Sequence, residues 1–318
     1  MGHGLILILA AILAVAVIFL VLPAFFCSVY LTAHRTPADF DQNPAGMNGT
    51  PYEPWRDVIL EKVDRLRRAP CEEVRIHASD GTPLCAQWYH RGPRTVILMH
   101  GYRSTPINNF FAAAEAFLDE GWSVLMPYMR GHGKSGGRTA MGLREADDAV
   151  SWAQWADSQP GCTGIVLYGV SMGGAAVTFA SDRDWPDTVR VLVVDAGYDH
   201  TERQIRGLKE FRYTPRWALI PLMRRCFRWL LGVDITATNG LDALAHATRP
   251  MVFIEGTKDT TVLPETVETS YRACSSPKLL LKAEGAPHTL SFLIGGTGLK
   301  ESLFAFIHEH INLKEDPT

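Results

Sequence analysis

The chain has 318 residues, of which 47% are hydrophobic and 20% are charged, and its net charge is −3. This composition is typical of a globular protein and excludes a disordered chain. The slightly acidic balance gives no electrostatic reason to expect nucleic-acid binding. The six cysteines are irregularly spaced and form no CxxC pair, so the sequence indicates no zinc site.

The first feature along the chain is an uncharged apolar run from Leu5 to Phe26. A helix of about 22 residues is roughly 33 Å long, which is enough to cross the hydrocarbon core of a bilayer. No Lys or Arg precedes the run, and it ends in the bulky pair Phe25–Phe26, unlike a cleaved signal peptide. The sequence therefore predicts a single-pass membrane anchor within residues 1–35. The flanking charges are too few to orient it.

Residues 36–54 are rich in proline and glycine and indicate a linker between this anchor and the rest of the chain. We expect residues 55–318 to fold as one domain. It begins with an amphipathic stretch, Trp55 to Arg68, and then alternates strand-like and helix-like runs.

The alternation predicts the fold class. Eight runs are strand-like: residues 73–78, 84–90, 95–100, 123–128, 164–170, 189–195, 251–256 and 278–283. The turn Asp80–Gly81 indicates a hairpin between the first two. Helical patterns occupy residues 108–120, 143–157 and 299–312, and a further helix begins at Met172. An antiparallel start followed by βα repeats predicts an α/β fold with a mostly parallel eight-stranded sheet and helices on both faces.

The stretch 197–249 interrupts this alternation and is too long for a loop inside a compact domain. It contains helical patterns around residues 203–211 and 217–231, so we interpret it as a helical cap inserted after the sixth strand. Basic and aromatic residues are interleaved in it, which suits a membrane interface. A solvated helix face with an apolar underside explains the same pattern equally well.

A G-x-S-x-G motif, Gly169 to Gly173, follows the buried run GIVLYGV and precedes small residues that open a helix. A serine on a sharp strand-to-helix turn has an exposed hydroxyl group, and flanking side chains would collide there. The amides at the start of the helix favour developing negative charge. In this context the motif predicts Ser171 as a nucleophile rather than a residue of an ordinary glycine-rich turn.

A serine nucleophile needs a base, and the base needs an acid that orients it. Where this motif joins a strand to a helix, the chain order is serine, acid, histidine. Asp259 follows the strand 251–256, and His288 follows the strand 278–283. Both residues lie just past the carboxyl ends of strands, the edge where such sites form. We predict Ser171, Asp259 and His288 as the catalytic residues, with Asp195, at the end of the preceding strand, as the rival acid.

The segment His100-Gly101-Tyr102 follows the third predicted strand. Glycine at this position allows the backbone to turn so that an amide faces the serine. The backbone N–H groups of Tyr102 and Met172 are therefore the predicted oxyanion hole. We expect the side chain of His100 to support the loop and to act as neither acid nor base.

The glycine-rich segment from Arg130 to Gly137 resembles a phosphate loop only superficially. The motif G-x-x-x-x-G-K-[ST] requires a glycine five positions before Gly133, and Tyr128 stands there. Nucleotide binding is therefore not predicted, and no cofactor or metal is expected.

The motifs together resemble the α/β-hydrolase superfamily, specifically its serine aminopeptidase-like and monoglyceride-lipase-like branch. The resemblance covers about Val74 to Ile311 and rests on His100-Gly101, Arg130-Gly131-x-Gly133-x-Ser135, the serine motif, Asp259 and His288 in family order. One departure is Tyr128, where the family often has Asp two residues before the arginine.

The ordered site predicts a serine hydrolase that cleaves a carboxylic ester, thioester or amide through an acyl-enzyme. The expected substrate is a small-molecule or lipid-derived acyl compound. Two alternatives stay open: an acyltransferase with the same three residues, and a non-catalytic membrane-anchored scaffold with the same fold.

Overall fold

A single mixed sheet forms the centre of the domain. The computed structural model describes residues 2–17, 21–35, 37–207, 216–237 and 239–311. Its eight strands are β1 (Glu72–His77), β2 (Pro83–Tyr89), β3 (Arg94–Met99), β4 (Ser123–Tyr128), β5 (Gly164–Val170), β6 (Val189–Asp195), β7 (Met251–Gly256) and β8 (Lys278–Ala283). They lie in the order β1-β2-β4-β3-β5-β6-β7-β8. Strand β2 pairs antiparallel with β1 and β4, and all other pairs are parallel. The predicted mostly parallel eight-stranded sheet is confirmed.

The helices cover both faces of this sheet. They are α1 (Gly2–Ala16), α2 (Leu22–Thr32), α3 (Arg56–Arg68), α4 (Pro106–Asp119), α5 (Glu145–Asp157), α6 (Met172–Phe179), α7 (Thr201–Gly207), α8 (Arg216–Leu231), α9 (Gly240–Ala245), α10 (Pro264–Ala273), α11 (Ser291–Ile294) and α12 (Gly296–Ile311). One core holds Phe117 of α4 and Ile307 of α12, and the other holds Trp152 of α5 and Ala175 of α6. Strand β5 is buried along its whole length because both of its faces are covered.

Helices α1 and α2 both lie in the apolar N-terminal run, for which the sequence predicts one spanning helix. Side chains of α1 from Leu5 to Val15 are exposed, whereas α2 packs against α8 and buries Ala24, Ser28 and Leu31. Residues 18–20, between the two helices, lie outside the described residues. In the described part of the chain, no helix is both long enough and apolar enough to cross a bilayer. The prediction of a membrane-spanning anchor is therefore not supported. The expectation that the whole run lies outside the fold is wrong for α2, because α8 gives it an apolar partner.

The segment predicted to be a linker, residues 36–54, lies against the domain in its described residues 37–54. Asp39 is buried, pairs with Arg67 at 2.5 Å and accepts a hydrogen bond from Thr105. The side chain of Met47 is fully buried in the core that also holds α3 and α4. Proline and glycine shape the turns of this segment, while apolar and acidic side chains such as Met47 and Asp39 attach it to the helices that cover the sheet.

The cap predicted between the sixth and seventh strands is present as α7, α8 and α9. Residues 208–215 and 238 lie outside the described residues, and these include Lys209, Phe211 and Arg212. Four of its arginines form ion pairs inside the cap or at its base: Arg203 with Asp199, Arg206 with Glu202, and Arg224 and Arg228 with Asp234. Local carboxylates thus partly neutralise the positive charge of the cap, which would otherwise be available to a membrane surface.

Met47→Ala should lower the free energy of unfolding by about 2–4 kcal/mol, because it leaves a cavity in a fully buried position. Met47→Leu conserves the side-chain volume and should cost less than about 1.5 kcal/mol. Urea denaturation of the three proteins measures both effects. Equal stabilities of the Ala variant and the unsubstituted protein would mean that this segment does not pack as described.

Candidate active site

Ser171 lies at the turn between β5 and α6 with φ +55° and ψ −115°, a backbone conformation that L-residues rarely adopt. Its N–H donates to the carbonyl of Asp195 at 2.9 Å, which ties the turn to β6. A Cβ atom on Gly169 would lie 2.2 Å from the carbonyl oxygen of Gly173, and one on Gly173 would lie 1.9 Å from the carbonyl oxygen of Met99. The turn therefore forms only with glycine at both flanking positions.

His288 and Asp259 complete a hydrogen-bonded chain with this serine. His288 Nε2 lies 2.9 Å from Ser171 Oγ, and His288 Nδ1 lies 2.6 Å from Asp259 Oδ2. The other carboxylate oxygen of Asp259 accepts the N–H groups of Thr261 at 2.7 Å and Val262 at 3.0 Å, which fixes its orientation. The structure thus brings together the three residues selected from the sequence, although His288 is separated from Ser171 by 117 positions.

The turn after β3 approaches the serine from the other side. A Cβ atom on Gly101 would lie 3.2 Å from the Cβ of Ser171, so only backbone fits there without displacement. The side chain of Asn109 accepts the N–H of Gly101 at 2.8 Å and holds the turn in place. Met172 is the first residue of α6, where backbone N–H groups have no intrahelical acceptor. The turn that carries the amide of Tyr102 and the helix end that carries the amide of Met172 therefore both lie next to Ser171.

Two buried histidines support this turn. His100 Nδ1 lies 2.7 Å from the carbonyl oxygen of Gly101, and its Nε2 accepts the N–H of Met129 at 3.0 Å. His132 Nε2 accepts the N–H of Arg103 at 3.0 Å. Burial holds the pKa of His100 well below its ordinary value and lowers that of His132 to about 4. Both rings are therefore neutral near pH 7 and serve as acceptors for the backbone.

Asp195, the rival acid, is not hydrogen-bonded to His288. It is buried behind the serine turn, where Tyr168 donates to its Oδ2 at 2.9 Å and its Oδ1 has no partner among the described residues. Burial raises the pKa of this carboxyl group to about 6. The structure therefore places Asp259, and not Asp195, against the histidine.

A cleft of about 420 Å³ opens over Ser171 and His288. One wall is built by Phe40, Tyr52 and neighbouring residues of the segment predicted to be a linker, and Tyr52 is hydrogen-bonded to Thr289 beside His288. This wall is not predicted from the sequence, although the two aromatic side chains in an otherwise polar segment were a signal. Within the described ranges, no group of three His, Cys, Asp or Glu side chains is placed to hold a metal ion.

The strand order, the serine turn and the acid and histidine after β7 and β8 together define an α/β-hydrolase. The chain belongs to the X-Pro dipeptidyl-peptidase (S15) family, whose model matches residues 32–212. That match begins in α2 and includes the whole wall-forming segment and the serine turn. It ends before Asp259 and His288.

Individual relatives agree with this class. An uncharacterized membrane protein of Saccharomyces cerevisiae is 30% identical over 231 residues, which are 71% of this chain and 76% of that protein. A thermostable monoacylglycerol lipase of Bacillus sp. (strain H-257) is 27% identical over 113 residues, 34% of this chain and 42% of the lipase. The esterase Pf2001 of Pyrococcus furiosus superposes with a TM-score of 0.62 at 25% identity, covering 78% of this chain and 94% of the esterase. The predicted superfamily is confirmed, and the chain is an esterase-like hydrolase.

Asp195→Asn should stabilise the protein at pH 7.5 by about 1–3 kcal/mol and have little effect near pH 4. The folded-state pKa of Asp195 is raised to about 6, so the unfolded chain loses this proton first and stability falls as the pH rises from about 4 to about 6. Asparagine can still accept from Tyr168 and has no charge to bury.

Urea denaturation at pH 4.5, 5.5 and 7.5 measures this difference. The control is Asp184→Asn, which removes an exposed carboxylate. Parallel stability profiles for the Asp195 variant and the unsubstituted protein would contradict the assignment of a buried, destabilising charge.

Proposed function

We propose that the protein is a serine hydrolase that cleaves its substrate through an acyl-enzyme intermediate. The observation that carries the proposal is the hydrogen-bonded chain Ser171–His288–Asp259, whose serine and histidine line the cleft. His288 Nε2 removes the proton from the hydroxyl group as Ser171 attacks the carbonyl carbon, and later returns it to the leaving group. Asp259 holds the imidazole in the tautomer whose Nε2 is free to accept, and stabilises the imidazolium that forms.

The negative charge that develops on the carbonyl oxygen requires donors on the far side of Ser171 from His288. The backbone N–H groups of Tyr102 and Met172 are the donors we propose, one from the turn after β3 and one from the first turn of α6. The close approach of Gly101 to Ser171 supports this assignment, since a side chain at position 101 would displace the turn. Water then hydrolyses the acyl-enzyme, and no cofactor takes part in these steps.

The substrate we propose is a carboxylic ester. The likeness to an archaeal esterase and to a monoacylglycerol lipase supports this choice. The S15 family model, whose description is of an X-Pro dipeptidyl-peptidase, favours amide cleavage as the second candidate. Because both substrates use the same nucleophile, parallel assays with p-nitrophenyl esters and with a Xaa-Pro p-nitroanilide separate them.

Ser171→Ala and His288→Ala should each lower kcat for a p-nitrophenyl ester by about 10⁴-fold or more, because members of such a chain act as a unit. Asp259→Asn should lower kcat by about 10³–10⁴-fold through loss of the orienting charge. Steady-state kinetics and labelling by a fluorophosphonate probe measure both effects.

Ser302→Ala, an exposed serine of α12, is the matched control and should keep full activity and labelling. Labelling of the Ser171→Ala variant would refute the assignment. Failure of the unsubstituted protein to react at all would favour the scaffold alternative. Loss of activity in Asp195→Asn with retention in Asp259→Asn would place the acid on β6.

We further propose that the protein associates with a membrane surface through α1. Nine large apolar side chains between Leu5 and Val17 are 37% to 70% exposed, which is unfavourable in water. Trp229 of the cap is 76% exposed and lies 6.1 Å from the ring of Phe25, so the cap presents an aromatic side chain beside α2. The yeast relative is described as a membrane protein, which supports the proposal.

Deletion of residues 2–17 should abolish binding to liposomes while the hydrolase activity on a soluble ester is kept. The reason is that α1 contributes its apolar surface to no described core, whereas α2 packs on α8 and must stay. Cosedimentation with liposomes of neutral lipid, with and without anionic lipid, measures the binding. Retained binding after the deletion would assign the interaction to the cap, and Trp229→Ser would then be the variant to examine.

A further inference from the structure

Two arginines beside the candidate active site have no carboxylate partner among the described residues. Arg103 follows the turn that carries Tyr102 and lines the same cleft as Ser171 and His288. Its Nε and Nη2 atoms are shielded from solvent, and their N–H groups find no hydrogen-bond acceptor within the described chain. Arg35, from the end of the N-terminal segment, has a buried Nε in the same condition. Buried donors without acceptors are costly in a folded protein, which makes this cluster unusual.

The two guanidinium groups lie against the same phenol ring. Both lie over the ring of Tyr30, with the Arg103 Cζ 3.8 Å and the Arg35 Cζ 5.0 Å from its centroid. Arg103 also lies 5.0 Å from the ring centroid of Tyr102, whose buried hydroxyl group has no partner other than Arg103 among the described residues. Aromatic rings attract the cations but neutralise no charge. The cluster therefore holds two positive charges and one buried hydroxyl group, with no carboxylate paired to either arginine in the described chain.

The backbone holds both arginines in place. Arg103 has φ +54°, and its N–H is fixed by the neutral ring of His132. The N–H of Arg35 donates to the carbonyl of Gly131 at 2.7 Å, and its carbonyl accepts the N–H of Gly133 at 2.8 Å. Asp39, the carboxylate on the adjoining wall, is already engaged by Arg67 and Thr105. The two positive charges are therefore held in place before any ligand binds, and Asp39 does not neutralise them.

We propose that Arg103, Arg35 and the hydroxyl group of Tyr102 form a subsite for an anionic group of the substrate, so that the enzyme selects esters carrying a carboxylate or a phosphate. The proposal rests on the hydrolase function proposed above. A planar guanidinium group binds either anion through paired N–H donors, and the phenol adds a third donor. Arg103 and Tyr102 line the cleft that Ser171 faces, so an anion bound to them selects the substrate without taking part in bond cleavage.

The first test compares matched esters on the unsubstituted protein. Mono-p-nitrophenyl succinate carries a carboxylate where p-nitrophenyl 4-methylpentanoate carries a neutral branched end of the same size. A 1-monoacylglycerol 3-phosphate and the corresponding monoacylglycerol place the anion on the alcohol side instead. We expect kcat/KM to favour the anionic member of at least one pair by tenfold or more, and the preference to shrink as salt is raised. No preference in either pair would overturn the proposal.

The second test uses variants. Arg103→Gln and Arg35→Gln should each reduce the ratio of kcat/KM for the anionic ester to that for its neutral partner by tenfold or more, chiefly through KM. Arg103→Lys, which keeps the charge, should retain part of the ratio. Arg91→Gln is the matched control, because Arg91 is exposed and precedes β3 at the opposite edge of the sheet, and it should leave the ratio unchanged. An unchanged ratio in both cluster variants would refute the proposal.

A binding measurement separates this proposal from the hydrolase function. Inorganic phosphate and succinate should each raise the Tm of the Ser171→Ala protein, and Arg103→Gln in that background should abolish the shift. This readout needs no turnover, so it still tests the subsite if the hydrolase proposal fails. Hydrolysis of neutral esters without any Tm shift by either anion would keep the hydrolase function and overturn the subsite.

Discussion

The serine turn between β5 and α6 is the constraint on which the other parts of the site depend. A residue with positive φ is held between two glycines, and a Cβ atom on Gly173 would lie inside the space of the Met99 carbonyl group. Because the turn contacts β3 through Met99 and β6 through the Asp195 carbonyl, it locks three adjacent strand ends together. Every other group of the candidate site is placed relative to that fixed edge.

Burial around this edge separates the ionisable groups by role. Two histidines behind the turn are kept neutral and accept backbone N–H groups, and Asp195 is held in an environment that disfavours its charge. Asp259, by contrast, accepts two backbone N–H groups and the imidazole of His288. Because these contacts fix the orientation of the Asp259 carboxylate against the imidazole, Asp259 suits the role of an orienting acid better than Asp195.

The N-terminal segment contributes to the cleft in three ways. It supplies one wall of the cleft, places Arg35 and Arg103 against the same ring of Tyr30, and connects Tyr52 to Thr289 beside the candidate base. The helix before it packs on α8 of the cap. A single stretch of chain therefore links the exposed apolar helix α1, the cap and the entrance to the cleft. The proposed substrate selection and the proposed surface association would therefore involve neighbouring parts of this stretch.

The sequence by itself determined the sheet, the serine turn and the acid and histidine that follow the last two strands. These features are encoded locally, since continuous apolar runs specify buried strands and the G-x-S-x-G pattern specifies a turn that other residues cannot form. Residue spacing also ranked Asp259 above Asp195, and the structure places Asp259 against the imidazole of His288.

Only the tertiary structure shows which part of the apolar run packs on the domain and which contacts residues 37–54 make. A periodic or apolar pattern indicates that a segment buries part of its surface, but it does not identify the packing partner. The contact between α2 and α8 could therefore not be predicted from composition. The same limit applies to the arginines. Arg35 and Arg103 are 68 positions apart, and only the folded chain places both over the ring of Tyr30. Contacts between distant segments depend on the whole packing arrangement, which no local pattern contains.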